Sequence, residues 1–258
     1  MAGRRKLKAL IDGDILIHRI SAAVEVPTKW DDDIWTLHSD ARMAKVLLDV
    51  EVAKIREKLG GKNVDVVMCV SHKENWRKAV YPAYKSNRKD NRKPLCYSEL
   101  RAYVSTAYAV ECWWSLEADD VMGIMATAPK SNAVIVTIDK DLKTIPARLF
   151  NPDTEEMWEN SVEQADYAHM MQTLCGDQAD GYPGCPGIGA KRAADILAST
   201  SDPVARWSAI KTAFEKAGLS EFEAIVQARI ARILRSCDFN KTREEVLLWN
   251  PPQAMASL

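Results

Sequence analysis

No stretch of this sequence approaches the roughly 20 consecutive apolar residues that a membrane-spanning helix requires, which argues against a membrane protein. Cysteine motifs are missing too. The six cysteines (Cys69, Cys96, Cys112, Cys175, Cys185, Cys237) are scattered, form no CxxC pair and have no histidine at finger spacing. That disfavours a structural zinc site and leaves buried free thiols in a reducing compartment. The basic start, Met1–Leu7, leads straight into a strand-like segment, without the apolar core and small-residue cleavage site of a secretory signal. A cytoplasmic protein is expected. An excess of positive charge is also lacking, since the formal net charge is −1, but acids and bases are segregated along the chain. There is no internal repeat and no low-complexity segment, and the tail Asn250–Leu258 reads as disordered.

What remains is ordinary in amount. With 258 residues, 47% hydrophobic and 28% charged, the chain can bury a substantial core as one large domain or a main domain with an appendage. Leu7–Ile17 reads as a buried strand broken by Asp12-Gly13-Asp14. Arg42–Leu59 repeats apolar residues at helical spacing and stops at Gly60-Gly61. Val64–Val70 and Ala133–Ile138 are short β-branched runs that suit a parallel sheet, and Ala118–Ala128 reads as a helix. Strands alternating with helices predict an α/β domain around a largely parallel sheet, and the pattern after Glu163 is mostly helical.

Carboxylates recur where these elements begin or end: Asp12 with Asp14, Glu117 with Asp119 and Asp120, Asp139 with Asp141, and Asp177 with Asp180. Open α/β sheets bind ligands beyond the carboxyl ends of their strands, where Asp12 and Asp139 are expected to emerge. Crowded acids repel, and burial sharpens the repulsion. Hard divalent cations relieve it, and two of them can activate a water and stabilise the leaving oxygen of a phosphodiester. Taken alone, Glu117–Asp120 is more readily a helix cap than a ligand set, and Asp12-Gly13-Asp14 could be a turn. Asp31-Asp32-Asp33 follows no strand signal and reads as a solvated loop or helix start. The ordered succession of the acids carries the signal.

Two further segments suit phosphate. Gly187-Ile188-Gly189 allows a tight turn and close backbone approach, and Ala190–Ala198 looks helical. Free N–H groups at that helix start, with Lys191 and Arg192, can grip duplex backbone without reading bases, as a helix–hairpin–helix does over 174–198. Between His72 and Lys93, the cations Lys73, Arg77, Lys78, Lys85, Arg88, Lys89, Arg92 and Lys93 face only Glu74 and Asp90, with Trp76, Tyr81 and Tyr84 interleaved. Cations and aromatics in alternation suit a single-strand path, although a solvated face explains a charge run as well.

Ile11-Asp12-Gly13, Tyr84-Lys85-Ser86-Asn87-Arg88, Glu117-Ala118-Asp119-Asp120, Thr137-Ile138-Asp139-Lys140-Asp141 and Gly176-Asp177 through Lys191 together resemble the flap-endonuclease-like 5′ nucleases, especially the phage and bacterial 5′–3′ exonucleases. The resemblance runs from about Leu7 to about Leu248. It implies a PIN-like α/β nuclease core over residues 1–162 with a helical arch at about 72–110. It also implies a helical region, 163–258, carrying a helix–three-turn–helix duplex clamp. One metal site would use Asp12, Glu117 and Asp119, and the other Asp139, Asp141 and Asp180, with Asp120 and Asp177 in the outer shells. The cations implied are two Mg²⁺, with Mn²⁺ as the alternative, and K⁺ at the hairpin of Gly187 and Gly189. Lys85 and Arg88 would contact the scissile phosphate, Tyr84 would stack on an unpaired base, and Arg92, Lys191 and Arg192 would bind DNA.

The substrates implied are duplex DNA with 5′ ends or flaps and RNA primers in DNA–RNA hybrids, with replication proteins as partners, in the host cytoplasm of a phage-encoded enzyme. The family commonly has an aspartate where Val70-Ser71-His72 stands here. Asp14 is the acid placed to compensate for Ser71. One rival reading is a DNA-binding protein that keeps clamp and arch but cuts weakly. Another is a PIN-type nuclease of single-stranded RNA, which the Gly187–Arg192 clamp disfavours.

Overall fold

The structure is a computed structural model that describes residues 6–88 and 91–253. Lys89 and Asp90 of the basic segment, and the end of the C-terminal tail from Ala254, lie outside the described residues. In chain order the elements are β1 (Leu7–Asp12), α1 (Gly13–Ala23), β2 (Glu25–Asp31), β3 (Ile34–Ser39), α2 (Ala41–Leu59) and β4 (Val64–Cys69). Next come α3 (Arg77–Val80), α4 (Tyr97–Ala107), β5 (Ala109–Glu111), α5 (Ala118–Ala126), β6 (Ala133–Val136), β7 (Arg148–Asn151) and β8 (Glu156–Glu159). The rest is mainly helical: α6 (Val162–Cys175), α7 (Ala190–Leu197), α8 (Pro203–Lys216) and α9 (Glu221–Ala231).

Two compact units result. Among the described residues, the first takes Lys6–Glu74, Asn91–Asp139 and Ala147–Glu159; the second takes Asn75–Arg88, Lys140–Pro146 and Asn160–Gln253. A simple division after residue 162 therefore misses two segments that group with the helices. Side-chain burial explains the first of them. Arg77 is 2% exposed, and its guanidinium donates to the carbonyls of Ile230 (3.0 Å) and Arg232 (2.7 Å). Tyr84 packs with Tyr182, Ile230 and Ala231. Arg77 is thus a core cation, not part of an exposed basic path. The arch expected at about 72–110 is not one element: its described residues hold the four-residue α3, a 3₁₀ turn at Ser86–Arg88 and α4, which packs in the first unit's core.

In the first unit the strands order as β5-β4-β1-β6-β7-β8, parallel except for β8 against β7. The chain turns from β1 toward β4 and β5, then crosses back to β6 and β7, so the order reverses beside β1, where open α/β sheets place their sites. The apolar sequence of β6, and of β4 beyond the exposed Asp65, reflects burial on both faces. Leu16, Ile17, Leu48, Val52, Ile55, Leu100 and Val104 of α1, α2 and α4 close one core with Ile11, Met68 and Val136.

Strand β1 stops at Asp12, and residues 13–17, expected as strand, open α1 instead. The Asp12 carboxylate accepts the Ile15 N–H at 3.1 Å, an N-cap that ends the strand. Glycine at 13 is required by crowding, since a Cβ there would lie 2.7 Å from the Cys69 carbonyl oxygen. Helix α2 spans the expected residues and ends at Gly60, whose φ of +126° suits glycine, but it buries Ala44, Leu48, Val52 and Ile55, while Met43, Val46, Leu47 and Val50 of the apolar repeat are exposed. The hairpin of β2 and β3 is an element the sequence reading did not identify; Asp31 ends β2 and Asp32-Asp33 form its exposed turn.

In the second unit, Leu174, Leu197, Trp207, Ile210, Phe214, Ala224 and Ala228 form the core. Ser161 with Gln164 and Ser220 with Glu223 close capping boxes at the starts of α6 and α9. His169 is buried on α6, with Nε2 2.7 Å from the Ala228 carbonyl oxygen. Burial, followed by the nearby charge of Arg232, pushes its pKa from 6.5 down to about 3. The unfolded chain therefore binds a proton that the folded chain refuses. The stability His169 contributes is complete above pH 6.5 and is lost as pH falls toward 3, by about 1.4 kcal/mol per pH unit. His169→Gln, which keeps a donor for Ala228, is expected to flatten the acid side of a stability–pH curve from urea melts between pH 7 and 4. An unchanged acid limb would contradict this account.

Candidate metal centre and phosphate-binding cluster

The first unit gathers its acids at the carboxyl edge of the sheet. Asp12 ends β1 at 4% exposure, and the Thr137 hydroxyl beyond β6 donates to its second oxygen at 3.1 Å. Thr137 Oγ1 also accepts the Asp139 N–H at 3.0 Å, so one hydroxyl links both acids. Burial first, with the charges of Asp14 and Asp139 adding to it, lifts the Asp12 carboxyl to about 7 against hydrogen bonds from Ile15 and Thr137 that act the other way. Asp12 pairs with Cys69 in register, and Cys69 pairs with Glu111. These three side chains thus form one row across β1, β4 and β5. The Cys69 thiol is pushed up by burial, then by Asp12, Glu111, Asp119 and Asp14. Glu111 belongs to this acidic field and was missed, because a three-residue strand carries too little periodicity to be read.

Glu117 is the N-cap of α5, and its N–H donates to the fully buried Asp120 carboxylate at 3.3 Å. Asp120 therefore has a capping role of its own. Asp119 lies between them on the first turn, half-buried. Asp14 does not offer an open carboxylate in place of Ser71: it accepts the Ser71 N–H at 2.9 Å and an Arg101 guanidinium N–H at 2.8 Å. Arg92, expected on DNA, makes two 2.7 Å bonds to Glu25 and is held there.

The second unit concentrates its functional candidates around Asp180. Its carboxylate accepts the Tyr84 hydroxyl at 2.7 Å, lies 3.5 Å from Lys85 Nζ, and is in direct contact with the Arg88 guanidinium. Lys85 has φ +53°, a left-handed backbone fastened by its N–H to the Asp180 carbonyl at 2.8 Å. Tyr84, expected to stack on a base, is 3% exposed and carries Lys85 over its ring at 5.1 Å. Its ring is part of a core and its hydroxyl orients Asp180, so stacking on an incoming base is not open to it.

Asp177 accepts the N–H groups of Ala179 (2.7 Å) and Asp180 (3.2 Å), a turn that delivers Asp180 to the cluster. Asp141 lies in the 3₁₀ turn Lys140–Thr144. Gly176 and Gly184 face each other so closely that a Cβ on Gly176 would come within 2.4 Å of the Gly184 nitrogen. The run then turns at Gly187 (φ +75°), and Gly189 caps α7 from outside. Lys191 and Arg192 are exposed on the first turn of α7, and Arg192 donates to the Gly187 carbonyl at 2.9 Å.

Among the described residues, no three His, Cys, Asp or Glu side chains stand together as a ready cation cage. The acids instead lean on their own partners: Asp12 on Thr137, Asp14 on Arg101, Asp180 on Lys85 and Arg88. The donor set still fits a hard divalent cation, because it is all oxygen and Asp12 is costly to ionise without a counter-charge. A carboxyl raised from 3.8 to about 7 contributes stability that is fully present below pH 3.8 and is lost as pH rises from there through 7. Asp12→Asn, which keeps the Ile15 cap, is expected to stabilise the metal-free protein by about 2 kcal/mol at pH 8 and little at pH 4. Urea denaturation in EDTA at both pH values checks this; equal effects would refute it.

A family model described as the 5′–3′ exonuclease N-terminal resolvase-like domain matches residues 8–172. The exodeoxyribonuclease of Enterobacteria phage T3 is 32% identical over 288 aligned positions, covering 94% of this chain and 92% of the relative. The exonuclease of Escherichia phage T7 is likewise 32% identical, over 94% and 93% of the two chains. Flap endonuclease Xni of Shewanella oneidensis is 26% identical over 73% of each. In fold, the chain is similar to the phage T5 D15 protein co-crystallised with metal ions, with a TM-score of 0.62 at 14% identity over 88% of this chain and 89% of that one. The parallel sheet with acids at its carboxyl edge, the full-length likeness to phage exonucleases and the matching domain converge: the chain belongs to the 5′–3′ exonuclease family.

Proposed function

We propose that this protein is a divalent-metal-dependent 5′–3′ exodeoxyribonuclease and flap endonuclease that recognises the structure of duplex DNA ends rather than their sequence. The observation that carries the reading is the buried Asp12 at the switch point of the sheet, tied to Asp139 through Thr137 and lifted to about 7 by burial and neighbouring charge. A carboxyl kept under that pressure suits cation binding better than stability. Mg²⁺ is the cation that the all-oxygen donors favour, with Mn²⁺ as a working substitute.

Asp12, Glu117 and Asp119 are assigned to one cation, with Asp120 behind them. Asp139, and in the second unit Asp141 and Asp180, are the remaining acids assigned to cation binding. Bound cations of this kind lower the pKa of water and stabilise a leaving oxygen. The chain's own part is electrostatic. Lys85 and Arg88 hold the phosphate and offset its developing charge, and Asp180 keeps both in place beforehand. Asp177 shapes the turn that presents Asp180.

The hairpin and first turn of α7, with Gly187, Gly189, Lys191 and Arg192, grip duplex backbone, and K⁺ at the hairpin carbonyls would reinforce that hold. Primers in DNA–RNA hybrids fall within the same substrate class, because the contacts assigned are to phosphate. A cytoplasmic setting, with replication proteins as partners, follows from this reading. A weakly cutting DNA-binding protein is the second reading, and Ser71 is its support.

The test uses 5′-labelled blunt and 5′-flapped duplexes with Mg²⁺ or EDTA. Wild type is expected to release short products from the 5′ side only with the cation, and Asp139→Asn to lose at least about 100-fold in rate. Tyr84→Phe, which removes the hydroxyl from Asp180, is expected to lower the rate by about 10-fold while leaving duplex affinity in EDTA unchanged. Duplex binding without cleavage in either Mg²⁺ or Mn²⁺ would favour the second reading.

A further inference from the structure

The first unit contains an ion pair that the chemistry above does not use. Asp14 stands on the first turn of α1 and Arg101 on α4, joined by a 2.8 Å bond. Both partners also reach Ser71. The second Asp14 oxygen accepts the Ser71 N–H at 2.9 Å, and the Arg101 guanidinium donates to the Ser71 carbonyl at 2.6 Å. One residue just beyond β4 is thereby gripped on both its backbone groups. The Ser71 hydroxyl in turn accepts the Ala118 N–H at 3.0 Å. Ala118 opens α5 between Glu117 and Asp119, and its N–H is one of the first-turn donors that have no acceptor inside a helix.

We propose that Arg101 is a positioning residue for the cation-binding acids: clamped by Asp14, it fixes Ser71, whose hydroxyl sets the first turn of α5 and so the direction of Glu117 and Asp119. The inference rests on the reading of Glu117 and Asp119 as cation ligands. Geometry distinguishes it from an ordinary tie between two helices. A pair serving only to join α1 to α4 would have no need to hold both the N–H and the carbonyl of a third residue. Asp12 feels the Asp14 charge, so losing Arg101 also changes the local field, whereas the Ser71 hydroxyl carries no charge and its removal tests the geometry by itself. Groups that hold ligands through hydrogen bonds typically govern cation affinity by about 10–100-fold.

The experiment measures three quantities on the full chain: Mn²⁺ affinity without DNA, by electron paramagnetic resonance of the free ion; the Mn²⁺ concentration that half-saturates cleavage; and duplex affinity in EDTA. Arg101→Met is expected to weaken Mn²⁺ binding and raise the half-saturating concentration by about 10-fold or more. Cleavage at saturating Mn²⁺ should largely recover, and duplex affinity should not change. Ser71→Ala is expected to reproduce the loss, and Ser71→Thr, which restores the hydroxyl, to reverse it. Should Arg101→Met fail to fold, the Ala and Thr pair at Ser71 decides the matter, because neither disturbs the ion pair. Wild-type Mn²⁺ binding in Ser71→Ala would overturn the inference. Failure of the nuclease reading looks different: wild type would bind Mn²⁺ yet leave both duplexes uncut, and the variants would still be scored by Mn²⁺ binding.

Discussion

A carboxylate buried at the end of the central strand is the constraint on which the first unit depends. Asp12 cannot be exposed, because β1 runs through the middle of the sheet and the order of the strands reverses beside it. Its neighbours are arranged around that fact. Thr137 gives it a hydroxyl, Ile15 gives it an N–H, and Gly13 lets α1 start against the Cys69 carbonyl without a clash. The same Thr137 hydroxyl accepts the Asp139 backbone N–H, so the chain segment that carries the second acid is anchored beside the first. A folded chain retains such an arrangement when something other than stability requires it.

The second unit solves a different electrostatic problem. Lys85 and Arg88 need to be held ready for an anion, and exposed cations on a short turn would otherwise sample many rotamers. Asp180 supplies the restraint, and Tyr84, buried against Tyr182, Ile230 and Ala231, restrains Asp180. Arg77 stacks on Trp76 and Tyr84 and ties the same turn to α9 through the carbonyls of Ile230 and Arg232. Residues that look alike in the basic strip of the sequence thus differ in place: Lys85 and Arg88 are presented at a site, Arg77 is buried as scaffold, and Arg92 is paired with Glu25. The Gly176–Gly184 approach then fixes the turn from Asp177 to Tyr182 at the foot of the cluster.

Much of this was legible beforehand, for identifiable reasons. Strands β4 and β6 were visible because burial leaves short apolar runs, and α2 because its apolar residues recur at helical spacing, although the stripe it buries is Ala44, Leu48, Val52 and Ile55 and not Met43, Val46, Leu47 and Val50. The acids were visible because they follow those runs, and the hairpin because glycines, which favour the positive φ that Gly176 and Gly187 adopt, stand just before Lys191 and Arg192. The β2–β3 hairpin was not visible, since both its faces are largely exposed and no alternation is imposed on it. Glu111 was hidden in a strand of three residues. Tyr84 and Arg77 were misread because a local excess of cations says nothing about which side chain points inward.

The amino-acid sequence by itself determined the class of fold, the succession of acids and the family, because these depend on periodicity and on short motifs whose residues are close along the chain. Tertiary structure decided the roles of individual side chains. Asp14 is bound by Arg101, from a helix far along the chain, and Ser71 meets Ala118 only because β4 and α5 are brought together. Arg92 is taken up by Glu25, and Asp180 is shared by three residues of a turn more than ninety positions earlier. Hydrogen bonds and burial of this kind are set by which elements pack against one another, and no local pattern of residues encodes them.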